Sequence, residues 1–117
     1  MRFTFTLDSD QPEALAAFWA EVLGYKSLGG FGAFWPLVPT DENEPMFVIQ
    51  QVAEPKQGKN RMHLDLHVDD VDSEVTRLEA LGAQRVTRTA VAEHDHQWFV
   101  MADPEGNEFC VVQANTA

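Results

Sequence analysis

Apolar and polar residues alternate strictly over Phe3-Thr4-Phe5-Thr6-Leu7-Asp8, the period of two that sends successive side chains to opposite faces of a strand. The pattern assigns Phe3, Phe5 and Leu7 to a core and Thr4, Thr6 and Asp8 to a more polar face. After Asp8 the period changes. Leu15, Phe18, Trp19, Val22 and Leu23 recur at helical spacing, so one stripe of a helix is apolar. Ser9 or Asp10 is expected as its N-cap, Pro12 falls in the first turn where a missing N–H costs nothing, and Gly24 supplies a left-handed stop. From 25 to 52 the helical period is lost. Short apolar pieces there are broken by Gly29, Gly30, Gly32, Pro36, Pro39 and the acidic run 41–44, which predicts short strands near 25–28, 31–37 and 46–52.

A polar stretch at 53–61, with Pro55, Gly58 and the cations Lys56, Lys59 and Arg61, reads as a linker. An anionic ligand group could also be met by its charges. The pattern then begins again. In 62–68, Leu64, Leu66 and Val68 fall on one strand face and His63, Asp65 and His67 on the other. Asp69, Asp70 and Asp72 mark a helix N-terminus, Val71, Val75, Leu78 and Leu81 form its stripe, and Gly82 ends it. Strands are expected near 84–89, 96–102 and 108–113, the last two joined by the turn Asp103-Pro104-Glu105-Gly106-Asn107. Leu23-Gly24 and Leu81-Gly82 lie about 58 residues apart, as do Thr4 and His63 within one position, so the chain is a two-copy repeat. The expected fold class is α+β. Two βαβββ modules, about 1–55 and 61–115, form one domain with a shared, curved mixed sheet, helices outside, and polar strand faces lining a concave ligand cup.

Composition narrows the function. The 117 residues are 44% hydrophobic, sufficient for one domain with a core. Nineteen acidic against eight basic residues give a net charge of −11, which disfavours nucleic acid and anionic membranes as partners. The lone Cys110 excludes an intrachain disulfide, and neither a signal-like start nor a spanning apolar stretch occurs in the sequence. The expectation is a soluble cytoplasmic protein.

The series Pro12-Glu13-x-Leu15-x-x-Phe18-Trp19-x-x-Val22-Leu23-Gly24, then His63-x-x-Leu66-x-Val68-Asp69, then Asp103-Pro104-Glu105-Gly106-Asn107-Glu108-Phe109 resembles the vicinal oxygen chelate superfamily. Within it, the chain is similar to the glyoxalase-like, bleomycin-resistance-like branch. The resemblance implies homodimerisation and, in metal-dependent members, one metal ligand on each of four strands. Carried over by motif, those positions are Thr4, Gln50, His63 and Cys110. Only His63 is the usual residue: Thr4 stands where His or Gln is usual, Gln50 for a carboxylate and Cys110 for Glu. A hard divalent cation is poorly served by one imidazole, one amide and one thiol, so the expectation is no cofactor. The alternative is a divalent metal held by His63, Gln50 and Cys110.

Strand geometry limits the other groupings. His63 and His67 lie about 13 Å apart along a strand and cannot share an ion. His63 with Asp65, and Cys110 from a second strand, can do so as a Zn²⁺ site. The plainer reading has Asp65 orienting His63 in a polar pocket, a pair that could act as a catalytic general base. His94-Asp95-His96 is expected at a polar hairpin tip, and Cys110 as a buried, inert thiol. Phe34, Trp35, Phe47 and Trp98 lie on expected strands, and at least one of Trp35 and Trp98 is expected in the pocket. Thr6, Trp35, Gln50, His67, Trp98 and Glu108 then form the wall for a small organic molecule. The acidic balance favours a cationic antibiotic or metabolite. The alternative function is a glyoxalase-like lyase or isomerase, or a ring-cleaving dioxygenase, using His63 and a metal.

Overall fold

The computed structural model describes residues 2–60, 62–93 and 95–114. The chain divides into two compact units, the first ending at Gln57 and the second beginning at Gly58.

The first unit runs β1 (Thr4–Ser9), α1 (Pro12–Leu23), β2 (Lys26–Ser27), β3 (Phe34–Val38) and β4 (Met46–Gln51). Its sheet has the order β1-β4-β3-β2, with β1 parallel to β4 and the other pairs antiparallel. Leu15, Ala16, Phe18, Trp19 and Val22 of α1 are buried together with Leu37, Phe47 and Ile49. Trp19 stacks on Phe47 at 5.6 Å between ring centroids. Gly24 adopts φ +68° and closes α1 as its C-cap, a conformation that costs glycine nothing.

The helix start differs from expectation. Gln11 is the N-cap and makes no side-chain capping bond. Ser9 instead ends β1, buried, with its hydroxyl accepting the Gln11 N–H at 2.9 Å. Phe3 also differs from the core position expected of it: it precedes the β1–β4 ladder, is 58% exposed, and meets Phe5 edge-on. The strand expected over 31–37 starts only at Phe34, because Phe31 and Phe34 bond to each other across a tight turn with Gly32 at φ +62°.

The second unit runs β5 (Asp65–His67), α2 (Val71–Ala80), β6 (Gln84–Arg85), β7 (Val91–Glu93), β8 (His96–Ala102) and β9 (Glu108–Ala114). Its order is β5-β9-β8-β6, with β7 also paired to β8. As in the first unit, the first strand is parallel to the last and the others are antiparallel. Asp70 caps α2 by accepting the Asp72 and Ser73 N–H groups. Val71, Val75 and Leu78 are buried with Phe99, Met101, Phe109 and Val111. β6 and β7 are two parts of one broken strand along β8. Between them, Val86 and Thr87 both donate N–H to the Val100 carbonyl, and the Thr87 hydroxyl accepts the Val100 N–H, which puts two residues opposite one as in a bulge. The expected βαβββ order therefore holds in both units, with one strand interrupted in the second.

Candidate functional site

Backbone pairing in the second unit assembles the chemistry-bearing residues. β5 and β9 are parallel, with Asp65 opposite Cys110 and His67 opposite Val112. The Leu64 carbonyl accepts the Cys110 N–H at 2.9 Å, which continues the pairing back toward His63. The alternation expected for 63–68 is present: His63, Asp65 and His67 are exposed while Leu64, Leu66 and Val68 are half-buried. Phe109 and Val111 of β9 are buried, so Glu108, Cys110 and Val112 occupy the face turned away from α2. β8 adds Trp98 opposite Val112, Val100 opposite Cys110 and Ala102 opposite Glu108. This open face thus has a polar margin of His63, Asp65, His67 and Glu108 beside a strip of Trp98, Val100 and Val112.

At the centre, His63 Nε2 lies 3.1 Å from Asp65 Oδ1, with both side chains about half exposed. His63, Asp65 and Cys110 each offer a ligand atom, all within 4.8 Å of one another. Cys110 is half-buried rather than buried, and its thiol is pushed up to about 11, first by burial, then by the Asp65 carboxylate and a hydrogen bond to it. Glu108 adds to this and Lys59 opposes it. The thiol is therefore protonated at neutral pH and a poor nucleophile. Asp65 acts as a common acceptor for the imidazole and the thiol.

Glu108 is held by Lys59, whose Nζ lies 3.0 and 3.1 Å from its two carboxylate oxygens, and its backbone carbonyl accepts the Asn60 amide at 3.1 Å. One end of the polar 53–61 stretch is thus attached to the site strand. Lys59 is a residue whose role the sequence did not reveal, since no local pattern links positions 49 apart.

The remaining candidates are placed by other strands. Thr6 and Gln50 sit on the open face of the first unit's sheet, Thr6 opposite Val48 and Gln50 opposite Asp8. Thr4 shares that face and is exposed. Trp35, in contrast, is opposite buried Ile49 and thus on the helix-covered face. There it lines a cleft of about 650 Å³ with Pro12, Ala14 and Ala17 of α1. A Cβ on Gly30 would come within 2.8 Å of the Trp35 ring, so this glycine makes room for the indole. His96 forms part of the β7–β8 hairpin, opposite Glu93, and Asp95 at its tip has φ +62°. His94 lies outside the described residues.

A mixed sheet with a parallel first-to-last strand pair and one helix, occurring twice, is the pattern of the vicinal oxygen chelate superfamily. A family model for the glyoxalase-like domain matches residues 4–112, and the chain belongs to that family. It is similar in fold to a glyoxalase/bleomycin resistance protein/dioxygenase family enzyme from Burkholderia phytofirmans PsJN, at a TM-score of 0.78 and 19% identity over 95% of this chain and 96% of that one. A glyoxalase-related enzyme from Fulvimarina pelagi matches with a TM-score of 0.73 and 21% identity, covering 97% and 87% of the two chains. A glyoxalase/bleomycin resistance protein/dioxygenase from Nocardioides gives 0.72 and 15%, covering 97% and 83%. No curated protein sequence matches the chain.

The hard divalent ions associated with such enzymes favour oxygen-rich shells. The gathered donors are one imidazole, one carboxylate and one thiol. This set does not fit Mg²⁺ or Mn²⁺.

Proposed function

We propose that this protein binds a small organic molecule, of cationic antibiotic or metabolite type, by direct side-chain contact and without a hard divalent metal. The observation that carries this reading is the open face of the second unit. It places the Trp98 ring and Val112 in one row with His67, and Val100 in the next with Cys110 and Asp65. An apolar strip with a few convergent polar groups is the usual chemistry of a small-molecule site. The Asp65 carboxylate is half exposed, and the net charge of −11 favours a cationic ligand over an anionic one.

Thermal-shift screening against cationic antibiotics and metabolites, with a chelator present, tests this. A ligand should raise the unfolding midpoint by mass action, and Trp98→Ala should weaken it by roughly tenfold or more, about 1.4 kcal/mol. A panel that leaves the midpoint unmoved, or a ligand indifferent to Trp98→Ala, would count against the assignment. A second reading is favoured by the His63–Asp65 contact: the pair acts as a general base in an isomerisation. Under that reading, His63→Ala abolishes turnover and the associated limb of the pH–rate profile.

A further inference from the structure

Phe3, expected in a core, is exposed and lines a cavity of about 620 Å³, a size within the range of small-molecule sites, about 300–1,000 Å³. The cavity belongs wholly to the first unit, at the end of the sheet where β1 and β4 begin. Thr4 pairs with Met46 there, and Val38 comes one residue after Leu37, which pairs with Phe47. Thr4, Met46 and Val38 therefore lie side by side across three strands. We infer that this cavity binds a zwitterionic amino acid with an apolar side chain, its carboxylate on Arg2, its ammonium on Glu42, and its hydrocarbon part against Phe3 and Met46.

Hydrocarbon and charge divide the wall. Phe3, Val38, Pro39, Pro45 and Met46 supply the first, while Arg2 contributes a cation and Glu42 and Glu44 contribute anions. Tyr25 fixes the acidic side: its hydroxyl donates to the Pro45 carbonyl at 2.8 Å and is hydrogen-bonded to the Glu44 carboxylate. The Asp41 carbonyl accepts the Glu44 N–H at 3.0 Å, and its carboxylate accepts the Asn43 N–H at 2.9 Å, so the loop from β3 to β4 is a closed turn. Glu44 is thus used by the loop itself. Among the described residues, ion pairs form at Lys59, His63, Arg77 and Arg85, and Arg2 and Glu42 take part in none of them. Opposite charges on one cavity wall that do not reach each other are complementary to a molecule that carries both. A simple cation would be repelled by Arg2 and a simple anion by Glu42 and Glu44, whereas a zwitterion meets neither penalty. Covering the Phe3 ring removes apolar surface from water, which selects an amino acid with an aromatic or aliphatic side chain over glycine.

This cavity shares no residue with the Trp98 face of the second unit and does not depend on the ligand reading above. Titration of the full chain with L-phenylalanine, followed by calorimetry and by backbone amide NMR shifts, tests it. The expected result is one equivalent bound, with shifts concentrated at residues 2–4 and 38–46. 2-Phenylethylamine lacks the carboxylate and 3-phenylpropanoate lacks the ammonium, and each should bind more weakly by roughly fivefold or more. Glycine at the same concentrations should not compete. Arg2→Gln should weaken L-phenylalanine and 3-phenylpropanoate while leaving 2-phenylethylamine unchanged, and Glu42→Gln should do the reverse with the two analogues. Both residues are exposed, and a merely disturbed loop would not produce this crossed pattern. Trp98→Ala should leave L-phenylalanine binding intact. The inference is overturned by the absence of saturable binding, by shifts centred on other residues, by either analogue binding as tightly as L-phenylalanine, by affinity unchanged in both charge variants, or by binding lost in Trp98→Ala.

Discussion

At the scale of single residues, Tyr25 shows how a side chain outside the site sets a pH limit. It follows the Gly24 cap, and its hydroxyl donates to the Pro45 carbonyl at 2.8 Å, joining the end of α1 to the start of β4. Its pKa is raised above the ordinary 10, chiefly by burial, then by the Glu44 carboxylate and a hydrogen bond to it. A raised pKa means that the folded state prefers the neutral phenol, so this contribution is fully present below pH 10 and is lost as pH rises through the folded-state value. Tyr25→Phe should cost about 1 kcal/mol at pH 7 through the lost hydrogen bond, and less above pH 10. Denaturant midpoints at the two pH values check this; an equal cost at both would contradict the linkage. Asp65 carries a different lesson. The sequence placed His63 and Asp65 on one face, because strand alternation is local. Setting Asp65 opposite Cys110 needs the register of two strands 45 residues apart in sequence, which no periodicity encodes.

Elements were legible where local chemistry defines them. Gly24 and the 103–107 turn are examples: Gly106 has φ +84°, and Asp103, 3% exposed, accepts the N–H groups of Glu105 and Asn107 at 2.9 Å and the Asn107 side-chain amide at 2.8 Å. β7 was not legible, since Val91–Glu93 is exposed throughout and has no alternation of burial to report. The bulge that separates it from β6 depends on the Thr87 hydroxyl meeting β8, again a matter of pairing. The strand expected over 62–68 shortens to Asp65–His67 because the β9 ladder, rather than β propensity, sets its bounds. The 103–107 turn also fixes how β8 enters β9, and so where Cys110 falls relative to Val100. Asp103→Ala should therefore destabilise the protein by about 1.5–3 kcal/mol, the range for a hydrogen bond to a charged group. Urea unfolding would show a lower midpoint at unchanged m, and a shift within about 0.5 kcal/mol would mean the carboxylate is not what holds the turn.

For the whole molecule, nineteen acidic and eight basic residues leave an excess of eleven negative charges. Salt acts on this excess in two opposed ways. It weakens the ion pairs of Lys59 with Glu108, Arg77 with Glu74 and Arg85 with Glu79, each worth at most about 1 kcal/mol at a surface. It also relieves repulsion among the excess carboxylates, which self-repel and oppose the compact state. With so large an imbalance the second effect should win. Between 0.01 M and 0.15 M ionic strength the screening length falls from about 30 Å to about 8 Å, and the thermal midpoint should rise over that interval. A cationic ligand should respond in the opposite sense, because the field that strains the fold also draws the ligand in, and its association rate should fall over the same range. Stopped-flow binding and thermal melts in matched NaCl series read both. A midpoint that falls with salt would mean the ion pairs dominate, and an association rate indifferent to salt would remove charge from the argument for a cationic ligand while leaving the Trp98 face intact as its binding surface.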